Sequence, residues 1–272
     1  MGSISSIKKH IVVTGGASGI GLGITRSFAE QGAQVSILDV NPDGAAITKS
    51  LSAEFPNAGF FFHKADVSNW DELAATFEAI YSQQGRIDVV MANAGISKEQ
   101  SLIVDEDKPT KPSFKTVDVN LIGTLYTVYL AIHYMRKNEA RGGSRGSIIA
   151  TASNAGLYAF SVAPIYAATK FGVIGLVRSL ARQLEKEKIQ INGLAPAVLE
   201  TNIAPDKALF KHMILTPMST LTRGVHELLA DPSLTGQIAE THGDKVTLSK
   251  QPAYVDEDTG ANIETFWNLG YA

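Results

Sequence analysis

Short apolar runs rich in β-branched residues alternate with longer helical patterns along most of this chain. Such runs suit strands covered on both faces, and a helix between successive strands is typical of parallel βαβ units. Six runs are predicted as strands: His10–Thr14, Gln34–Asp39, Phe60–Asp66, Ile87–Ala92, Gly146–Ala152 and Ile189–Ala195. The sequence therefore predicts an α/β fold, with a doubly wound parallel sheet of six to seven strands and helices on both faces.

The bulk properties favour one domain and argue against several classes of function. With 272 residues, 44% of them hydrophobic, the chain can fill one large core, and we expect a single domain over 1–272. A net charge of -3, without a block of Lys or Arg, gives no attraction for nucleic acid or anionic lipid. Because the sequence shows no cysteine, no secretory leader and no apolar run of membrane-spanning length, we expect a cytoplasmic protein without disulfides or thiolate chemistry.

A glycine-rich loop, Thr14–Gly21 (TGGASGIG), follows the first predicted strand and precedes a helical pattern. Glycines there permit a tight turn and the close approach of a pyrophosphate, while a helix N-terminus offers free N–H groups and a positive dipole. A plain structural turn is the alternative explanation for such a loop. The order of strand, loop and helix favours a dinucleotide site.

Asp39 ends the second predicted strand, about 20 residues beyond the glycine loop. A carboxylate at this place can bind the ribose hydroxyls of NAD and repels the 2′-phosphate of NADP. Val40 and Asn41 follow it, so no adjacent Arg or Lys offers that phosphate a cation. The sequence therefore predicts NAD(H) as the cofactor, preferred over NADP(H).

Tyr166 and Lys170 are four residues apart in a predicted helix, so their side chains share one face. A free tyrosine has a pKa of about 10, and a cation that stabilises its phenolate would make it an acid or base at neutral pH. Ser153, at the end of the fifth predicted strand, can hold a substrate oxygen by a second hydrogen bond. These three residues predict proton transfer at a hydroxyl group, coupled to hydride transfer at a nicotinamide.

Motifs along nearly the whole chain resemble those of the short-chain dehydrogenase/reductase family. They are TGGASGIG at Thr14–Gly21, the pair Asp66 and Val67, NAG at Asn93–Gly95, Asn120, Ser153, and YAATK at Tyr166–Lys170. The chain is most similar to the 15-hydroxyprostaglandin-dehydrogenase-like, NAD-dependent branch. The resemblance implies a Rossmann fold, an alcohol dehydrogenase or ketoreductase, and a homodimer or homotetramer.

The resemblance also implies roles for individual residues. Tyr166 would be the general acid/base, Ser153 would orient the substrate oxygen, and Lys170 would lower the Tyr166 pKa and bind the nicotinamide ribose. Asn120 would hold a water that links Lys170 to solvent; the alternative is a helix Asn satisfied by local backbone. The predicted cofactor-binding residues are Thr14, Gly15, Ser18, Gly19, Ile20, Gly21, Asp39, Asp66, Val67, Asn93, Ala94, Gly95, Tyr166, Lys170, Pro196, Val198 and Thr201.

Two positions depart from the family pattern, and one motif residue has a structural alternative. Ala92 replaces the first Asn of the fourth-strand motif, at little expected cost. Ala197 follows Pro196 where the family has glycine, so we expect it to narrow the nicotinamide pocket or tilt the backbone. The alternative for Asp66 is an ordinary cap of the following helix.

The segment 196–230 is predicted to cover the substrate, because ligands bind outside the carboxyl ends of parallel strands. The tail, 250–272, is predicted to close a pocket or contact a partner. The candidate substrate contacts are Ser97, Asn154, Leu157, Tyr158, Phe160, Ile203, Phe210 and Met213. The aromatic and aliphatic members would form an apolar wall, with ordinary core or subunit contact as the alternative. The histidines lack the spacing of metal ligands, so no metal is expected.

Taken together, these features predict an NAD(H)-dependent oxidoreductase that interconverts a secondary alcohol and a ketone on an apolar, lipid-like, terpenoid or polyketide-type molecule. The same fold can host a non-redox isomerase, cyclase or dehydratase. A cofactor-binding regulator without turnover is a third hypothesis. The complete set of Ser153, Tyr166 and Lys170 favours the oxidoreductase.

Overall fold

One sheet of eight strands forms the centre of the molecule. The computed structural model describes residues 8–103, 108–201 and 207–270. The strands are β1 (His10–Thr14), β2 (Gln34–Asp39), β3 (Gly59–Lys64), β4 (Val89–Ala92), β5 (Gly146–Thr151), β6 (Ile189–Pro196), β7 (Ile238–His242) and β8 (Lys245–Ser249). Their order is β3-β2-β1-β4-β5-β6-β7-β8, and the pairs from β3 to β7 are parallel. The predicted α/β fold class is confirmed.

Helices connect the parallel strands, as the alternating sequence pattern predicts. They are α1 (Gly19–Ala29), α2 (Gly44–Glu54), α3 (Trp70–Gln84), α4 (Lys115–Val117), α5 (Gly123–Met135), α6 (Pro164–Lys186), α7 (Met218–Ala230) and α8 (Glu257–Asn268). A π-helical segment, Asp118–Ile122, joins α4 to α5 without a break. Two 3₁₀ turns, Asn154–Gly156 and Lys207–His212, lie in the connections before α6 and α7.

Each face of the sheet carries its own buried apolar cluster, because successive residues of a strand point to opposite faces. On one face, Val90 and Ile148 belong to a cluster with residues of α3, α5 and α6, such as Phe77. On the other face, Met91 and Ile149 belong to a cluster with residues of α1, α2 and α7. Burial of each large apolar side chain stabilises the fold by roughly 1.5–3 kcal/mol. The sheet is therefore covered on both faces, as predicted.

Strand β8 is the main difference from the predicted sheet. It pairs antiparallel with β7 through a two-residue loop, Gly243 and Asp244. Gly243 has a φ of 53°, which glycine adopts without steric cost and which suits a tight hairpin. Neither β7 nor β8 was among the six predicted strands. Strand β8 is short and largely exposed, and it lacks the apolar run by which β1 to β6 were predicted.

The strand order reverses at β1, which pairs with β2 on one side and β4 on the other. Such a reversal opens a crevice outside the carboxyl ends of the two strands. Thr14 Oγ1 accepts hydrogen bonds from the backbone N–H groups of Asn93 (2.9 Å) and Ala94 (3.1 Å). The backbone carbonyl of Thr14 accepts a third from Asn93 Nδ2 at 3.1 Å. These bonds hold the glycine loop and the NAG motif side by side at the crevice.

Candidate active site

A cleft of about 560 Å³ opens at the carboxyl ends of β1, β2, β4, β5 and β6. Residues from distant parts of the sequence meet there, from the glycine loop to the segment after β6. The predicted site residues that line the cleft are Gly15, Ser18, Gly19, Ile20, Asp39, Asp66, Val67, Asn93, Ala94, Gly95, Ser97, Ser153, Tyr166, Lys170, Pro196 and Thr201. The structure thus brings most of the predicted cofactor and catalytic residues to one place.

The glycine loop forms a backbone cradle at the amino end of α1. Gly15 and Gly19 have φ angles of 65° and 49°. A Cβ on Gly15 would lie 2.9 Å from the Cα of Ala94, so glycine is needed for the two loops to pack this closely. The N-cap residue of α1, Ser18, makes no side-chain capping bond, which leaves the positive end of this 11-residue helix to an anionic group. The cradle fits the pyrophosphate of a dinucleotide.

Asp39 is held at the edge of the cleft by two backbone amides. Its Oδ2 accepts a hydrogen bond from Ala17 N at 2.9 Å, and its Oδ1 accepts one from Asn41 N at 3.0 Å. Each carboxylate oxygen can accept a second hydrogen bond, so both keep capacity for a hydroxyl donor. The carboxylate is therefore fixed in place between the glycine loop and the end of β2.

Asp66 accepts hydrogen bonds from the backbone N–H (2.9 Å) and the hydroxyl (2.6 Å) of Ser68, and Lys115 Nζ lies 3.5 Å from it. Burial acts to raise the pKa of Asp66, but these hydrogen bonds and the Lys115 charge outweigh burial and lower it. The cap of α3 is Asn69, whose side chain accepts from Glu72 N. The alternative that Asp66 caps this helix is therefore wrong.

Ser153, Tyr166 and Lys170 form a compact cluster in the cleft wall. Ser153 follows β5, where its hydroxyl accepts a hydrogen bond from Ala155 N at 3.2 Å and thereby starts a 3₁₀ turn. Tyr166 and Lys170 lie one turn apart on α6, and Lys170 Nζ is 5.5 Å from the centre of the Tyr166 ring. Lys170 is only 3% exposed, and its Nζ donates to the backbone carbonyl of Thr151 at 2.8 Å.

Burial dominates the protonation of this cluster. It raises the pKa of Tyr166 above its ordinary value, while a hydrogen bond with Ser153 opposes the rise. Burial also lowers the pKa of Lys170 to about 8. The causes of the Tyr166 shift do not include the expected lowering by Lys170, and desolvation disfavours the phenolate. Near neutral pH the phenol carries its proton, which suits a proton donor.

Asn120 lies in the π-helical segment and is fully buried. Its Oδ1 accepts from Ile96 N at 2.8 Å, and its Nδ2 donates to the Ile96 carbonyl at 2.8 Å. A Cβ on Gly95 would lie 3.4 Å from Asn120 Oδ1 and 3.6 Å from Lys170 Nζ. Asn120 therefore fixes the segment after the NAG motif and lies close to Lys170. Its hydrogen-bond partners at Ile96 are not the local helix backbone, which the alternative explanation requires.

Some predicted site residues do not line the cleft. Asn120 and Thr14 are buried and support lining residues, while Gly21 and Val198 lie outside the lining. Gly21 has a packing role, because a Cβ there would lie 2.0 Å from the carbonyl oxygen of Gly15. The cofactor contacts predicted for these residues stay predictions.

Most of the predicted substrate wall also lies outside the cleft lining. Tyr158 is 57% exposed, and its hydroxyl donates to Glu240 on β7 at 2.9 Å. Asn154 accepts from the Ser153 hydroxyl at 3.3 Å, and Leu157 packs against the core beneath α6. The remaining described members, Phe160, Phe210 and Met213, do not border the cleft, and Ile203 lies outside the described residues. Among the described members of this group, Ser97 alone borders the cleft.

The tail contacts α6, whereas Ala197 borders the cleft. In α8, Glu264 accepts two bonds from Arg182 of α6, at 2.7 and 2.8 Å, and the Trp267 ring lies beneath the Arg182 guanidinium. No residue of the described part of the tail lines the cleft. Ala197 borders the cleft but has no positive φ, so the backbone tilt expected there is not required.

Sequence reasoning missed several residues of the cleft. Two of them are cations: Lys98, just beyond the NAG motif, and Lys115, which reaches Asp66 from a position 49 residues further along. The other missed lining residues are Leu38, Val40, Ala65, Ile96, Val119, Thr151, Ala152 and Leu199. For the residues beside known motifs, adjacency was the available signal. Lys115 lies at the end of a long segment that leaves β4, Ser97 to Lys115, which is a candidate for substrate contact by its position, but its contact with Asp66 had no signal, because only the fold brings the two together.

Comparisons with known proteins agree with this geometry. The family model described as short chain dehydrogenase matches residues 9–211. A short-chain dehydrogenase/reductase of Penicillium roqueforti is 40% identical over 201 residues, which cover 72% of this chain. The match covers only 56% of that relative's length. The protein named 15-hydroxyprostaglandin dehydrogenase [NAD(+)] of Rattus norvegicus is 29% identical to this chain. That match covers 92% of this chain and 95% of the relative's length.

A solved structure shares the fold as well. The NADPH-dependent 3-quinuclidinone reductase of Rhodotorula rubra superposes with a TM-score of 0.74 at 27% identity, over 88% of this chain and 92% of its own. The chain therefore belongs to the short-chain dehydrogenase family. This family binds a nicotinamide cofactor, and the cradle and cleft described above have the shape and the donors for one.

None of the helices in the described residues combines the length and apolarity needed to cross a membrane. Among the same residues, no three His, Asp or Glu side chains are grouped closely enough to hold a metal ion.

Proposed function

We propose that this protein is an NAD(H)-dependent oxidoreductase that interconverts a secondary alcohol and a ketone. The observation that supports this most is the position of Ser153, Tyr166 and Lys170 in the wall of the cleft that the glycine loop borders. Bound NAD(H) supplies the ring that accepts or gives the hydride. The protein's own residues then need to move one proton and hold one oxygen.

Tyr166 carries the proton in this proposal. In ketone reduction its phenol donates to the oxygen that becomes the alcohol, and in alcohol oxidation its phenolate takes that proton back. Ser153, which already hydrogen-bonds with the phenol, orients the same substrate oxygen. Because burial raises the Tyr166 pKa, the phenol is in the donor form at neutral pH, and oxidation gains rate as pH rises.

Lys170 supports the phenolate and the nicotinamide ribose. Its ammonium group is buried beside the Tyr166 ring, where a positive charge favours the loss of the phenolic proton. Asn120 is proposed to hold a water that links Lys170 to solvent; the support is that Asn120 Oδ1 and Lys170 Nζ both lie close to Gly95. The buried position of Lys170 is costly for a structural residue, which is why we assign it to catalysis.

Asp39 supports the preference for NAD(H). Its carboxylate is fixed at the cleft edge and would repel a 2′-phosphate while accepting ribose hydroxyls. Lys115, a cation in the same cleft, is already engaged with Asp66 and Ser68. The name of one relative includes NAD(+), and the name of a structural neighbour includes NADPH, so the comparisons do not decide between the cofactors. The proposed preference for NAD(H) therefore rests on Asp39.

For the substrate we propose an apolar, lipid-like, terpenoid or polyketide-type molecule. The support is the apolar lining near the cluster, where Ile96, Val119 and Leu199 border the cleft, together with the similarity to 15-hydroxyprostaglandin dehydrogenase. The segment 196–230 is proposed to cover this substrate. A homodimer or homotetramer is proposed from the exposed apolar residues Tyr129 and Phe171 on α5 and α6.

Nucleotide binding tests the cofactor part of the proposal. We would titrate the purified protein with NAD, NADH, NADP and NADPH, and compare it with Asp39→Ala. Preference for NAD(H), reduced in Asp39→Ala, is expected because the variant loses the carboxylate that repels the 2′-phosphate. A preference of the unaltered protein for NADP(H) would contradict the role of Asp39.

A panel of secondary alcohols and ketones tests the reaction, with Tyr166→Phe as the control. Hydride transfer that disappears in Tyr166→Phe supports the oxidoreductase. If NAD(H) binds but no compound exchanges hydride, then the non-redox isomerase, cyclase or dehydratase becomes the better explanation.

A further inference from the structure

A carboxylate from a distant loop caps the amino end of the helix that carries Tyr166. Glu99 Oε2 accepts a hydrogen bond from Ile165 N at 3.2 Å, and Glu99 Oε1 accepts one from Tyr166 N. Glu99 lies in the segment after β4, 67 residues before Tyr166. The local sequence of α6 does not indicate this cap.

The amino end of α6 depends on Glu99 because local groups cannot satisfy it. The first four N–H groups of a helix have no partner within the helix. In α6, the N-cap residue Ala163 donates its N–H to the Phe160 carbonyl, and Pro164 has no N–H. The two donors left are those of Ile165 and Tyr166, and both bond to Glu99. Ala163 has no polar side chain with which to replace it.

The segment that carries Glu99 is itself anchored on both sides. The Lys98 carbonyl accepts from Thr116 Oγ1 at 2.6 Å, and Gln100 Oε1 accepts from Ser113 N at 3.3 Å. Just before it, Ser97 and Lys98 border the cleft, and Ile96 is bonded to Asn120. Glu99 therefore connects the backbone of Tyr166 directly to the wall of the cleft on the β4 side.

We infer that Glu99 is a positioning residue, which holds Tyr166 at the distance from the NAG side of the cleft that proton transfer requires. The inference rests on the proposed function. Tyr166 is in the first turn of α6, where a helix frays most readily, so its side chain depends on the cap more than Lys170 does. Misplacement of a reacting group by about 1 Å can cost about 100-fold in rate.

A role in stability alone would predict a different pattern. Helix α6 has 23 residues and a largely buried face, so packing rather than one cap holds it in the fold. Helix α8 also has a carboxylate cap, although a local one with a single bond: its N-cap residue Asp256 accepts through Oδ1 from Thr259 N at 2.8 Å. Helix α8 does not border the cleft. Asp256 therefore offers a matched carboxylate cap that is remote from the chemistry.

The test compares Glu99→Ala and Glu99→Gln with Asp256→Ala. Glu99→Ala is expected to lower kcat at least about tenfold while KM for NAD(H) stays within about twofold, because the cofactor contacts are intact. Glu99→Gln keeps one acceptor oxygen and is expected to fall between Glu99→Ala and the unaltered protein. Asp256→Ala is expected to leave kcat unchanged. Equal losses of kcat in Glu99→Ala and Asp256→Ala would overturn the inference.

Hydrogen–deuterium exchange provides a readout that needs no turnover. In Glu99→Ala the amides of Ile165 and Tyr166 are expected to exchange faster, while those of 170–184 keep their protection. Unchanged exchange at Ile165 and Tyr166 would overturn the inference. Failure of the proposed function has a different signature, namely no hydride transfer by the unaltered protein, whatever the exchange rates show.

Discussion

The amino end of strand β4 lies beside Asp88, whose side chain is 15% exposed, and the carboxyl end of β5 lies beside the buried Lys170. Asp88 accepts from Arg86 Nε at 2.5 Å and from the backbone N–H of His10 at 2.8 Å. Lys170 instead donates to a single neutral acceptor, the Thr151 carbonyl, and has no carboxylate partner in the part of the chain described. One charge is neutralised by its surroundings, whereas the other is left uncompensated.

This difference separates the part of the sheet that stabilises the fold from the part that borders the proposed catalytic cluster. A buried charge without a counter-charge costs free energy and shifts the pKa of the group. Such a cost at Lys170, within the proposed catalytic cluster, agrees with the general trade between stability and activity. At the amino edge, where no cleft residue lies, the same kind of cost is avoided by pairing.

The largest expected effect is the loss of activity in Tyr166→Phe. This variant removes only the phenolic oxygen from the carboxyl-end cluster, so we expect the rate of hydride transfer to fall by about 10³-fold or more. The affinity for NADH should change little, because the ring and its packing remain. Stopped-flow measurement of nicotinamide fluorescence with a substrate found in the panel checks both. A rate close to that of the unaltered protein would remove Tyr166 from the mechanism.

Asp88→Ala, at the amino ends of the strands, should lower the stability of the fold and leave the activity unchanged. It leaves Arg86 without its carboxylate and the His10 N–H without its acceptor, so the free energy of unfolding should fall by about 3 kcal/mol. Urea unfolding measures the loss. The kcat of the folded variant should equal that of the unaltered protein, and a large drop in kcat would mean that the two edges are not separate in function.

Acid is expected to lower the stability of the fold first at the amino ends of the strands, where His10 lies. Burial lowers the pKa of His10 from 6.5 to about 4, although Asp88 opposes the shift. The folded protein therefore prefers neutral His10: this contribution to stability is complete above pH 6.5 and is lost as the pH falls toward 4. We expect this contribution to reach about 3 kcal/mol, because each pKa unit corresponds to about 1.4 kcal/mol. In His10→Gln, which cannot titrate, the unfolding free energy should vary less over this interval. Equal pH dependence would exclude His10 as the cause.

The smallest effect is a gain in stability from Lys170→Met. Burial lowers the pKa of Lys170 from 10.5 to about 8, so below pH 8 the folded state carries the full cost of the buried charge. Part of the relief is offset by the lost bond to Thr151, and we expect the variant to be more stable by about 1 kcal/mol at pH 7. The advantage should shrink as pH rises from 8 to 10.5, and hydride transfer should be lost. A clear destabilisation at pH 7 would contradict the proposed cost.

Sequence alone was sufficient where a feature is encoded locally. The apolar runs predicted six of the seven parallel strands, all but β7. The glycine loop, the NAG motif and YAATK are short stretches whose side chains are placed by the element that contains them. The substrate wall was different, because the direction of Tyr158 depends on Glu240, 82 residues away. Lys115 and Glu99 were missed for the same reason. Their partners, Asp66 and Tyr166, are near only after the chain has folded.

The contacts of Thr14 also bear on how the chain is made. Strands β1, β2 and β3 lie within the first 64 residues and are neighbours in the sheet, so they can pair early in synthesis. The bonds that support the glycine loop come from Asn93 and Ala94, about 80 positions beyond Thr14. A nascent chain that ends before residue 93 therefore has three strands of the sheet but an unsupported loop. We therefore expect the proposed dinucleotide binding to follow emergence of β4 from the ribosome, too late to assist the pairing of β1, β2 and β3.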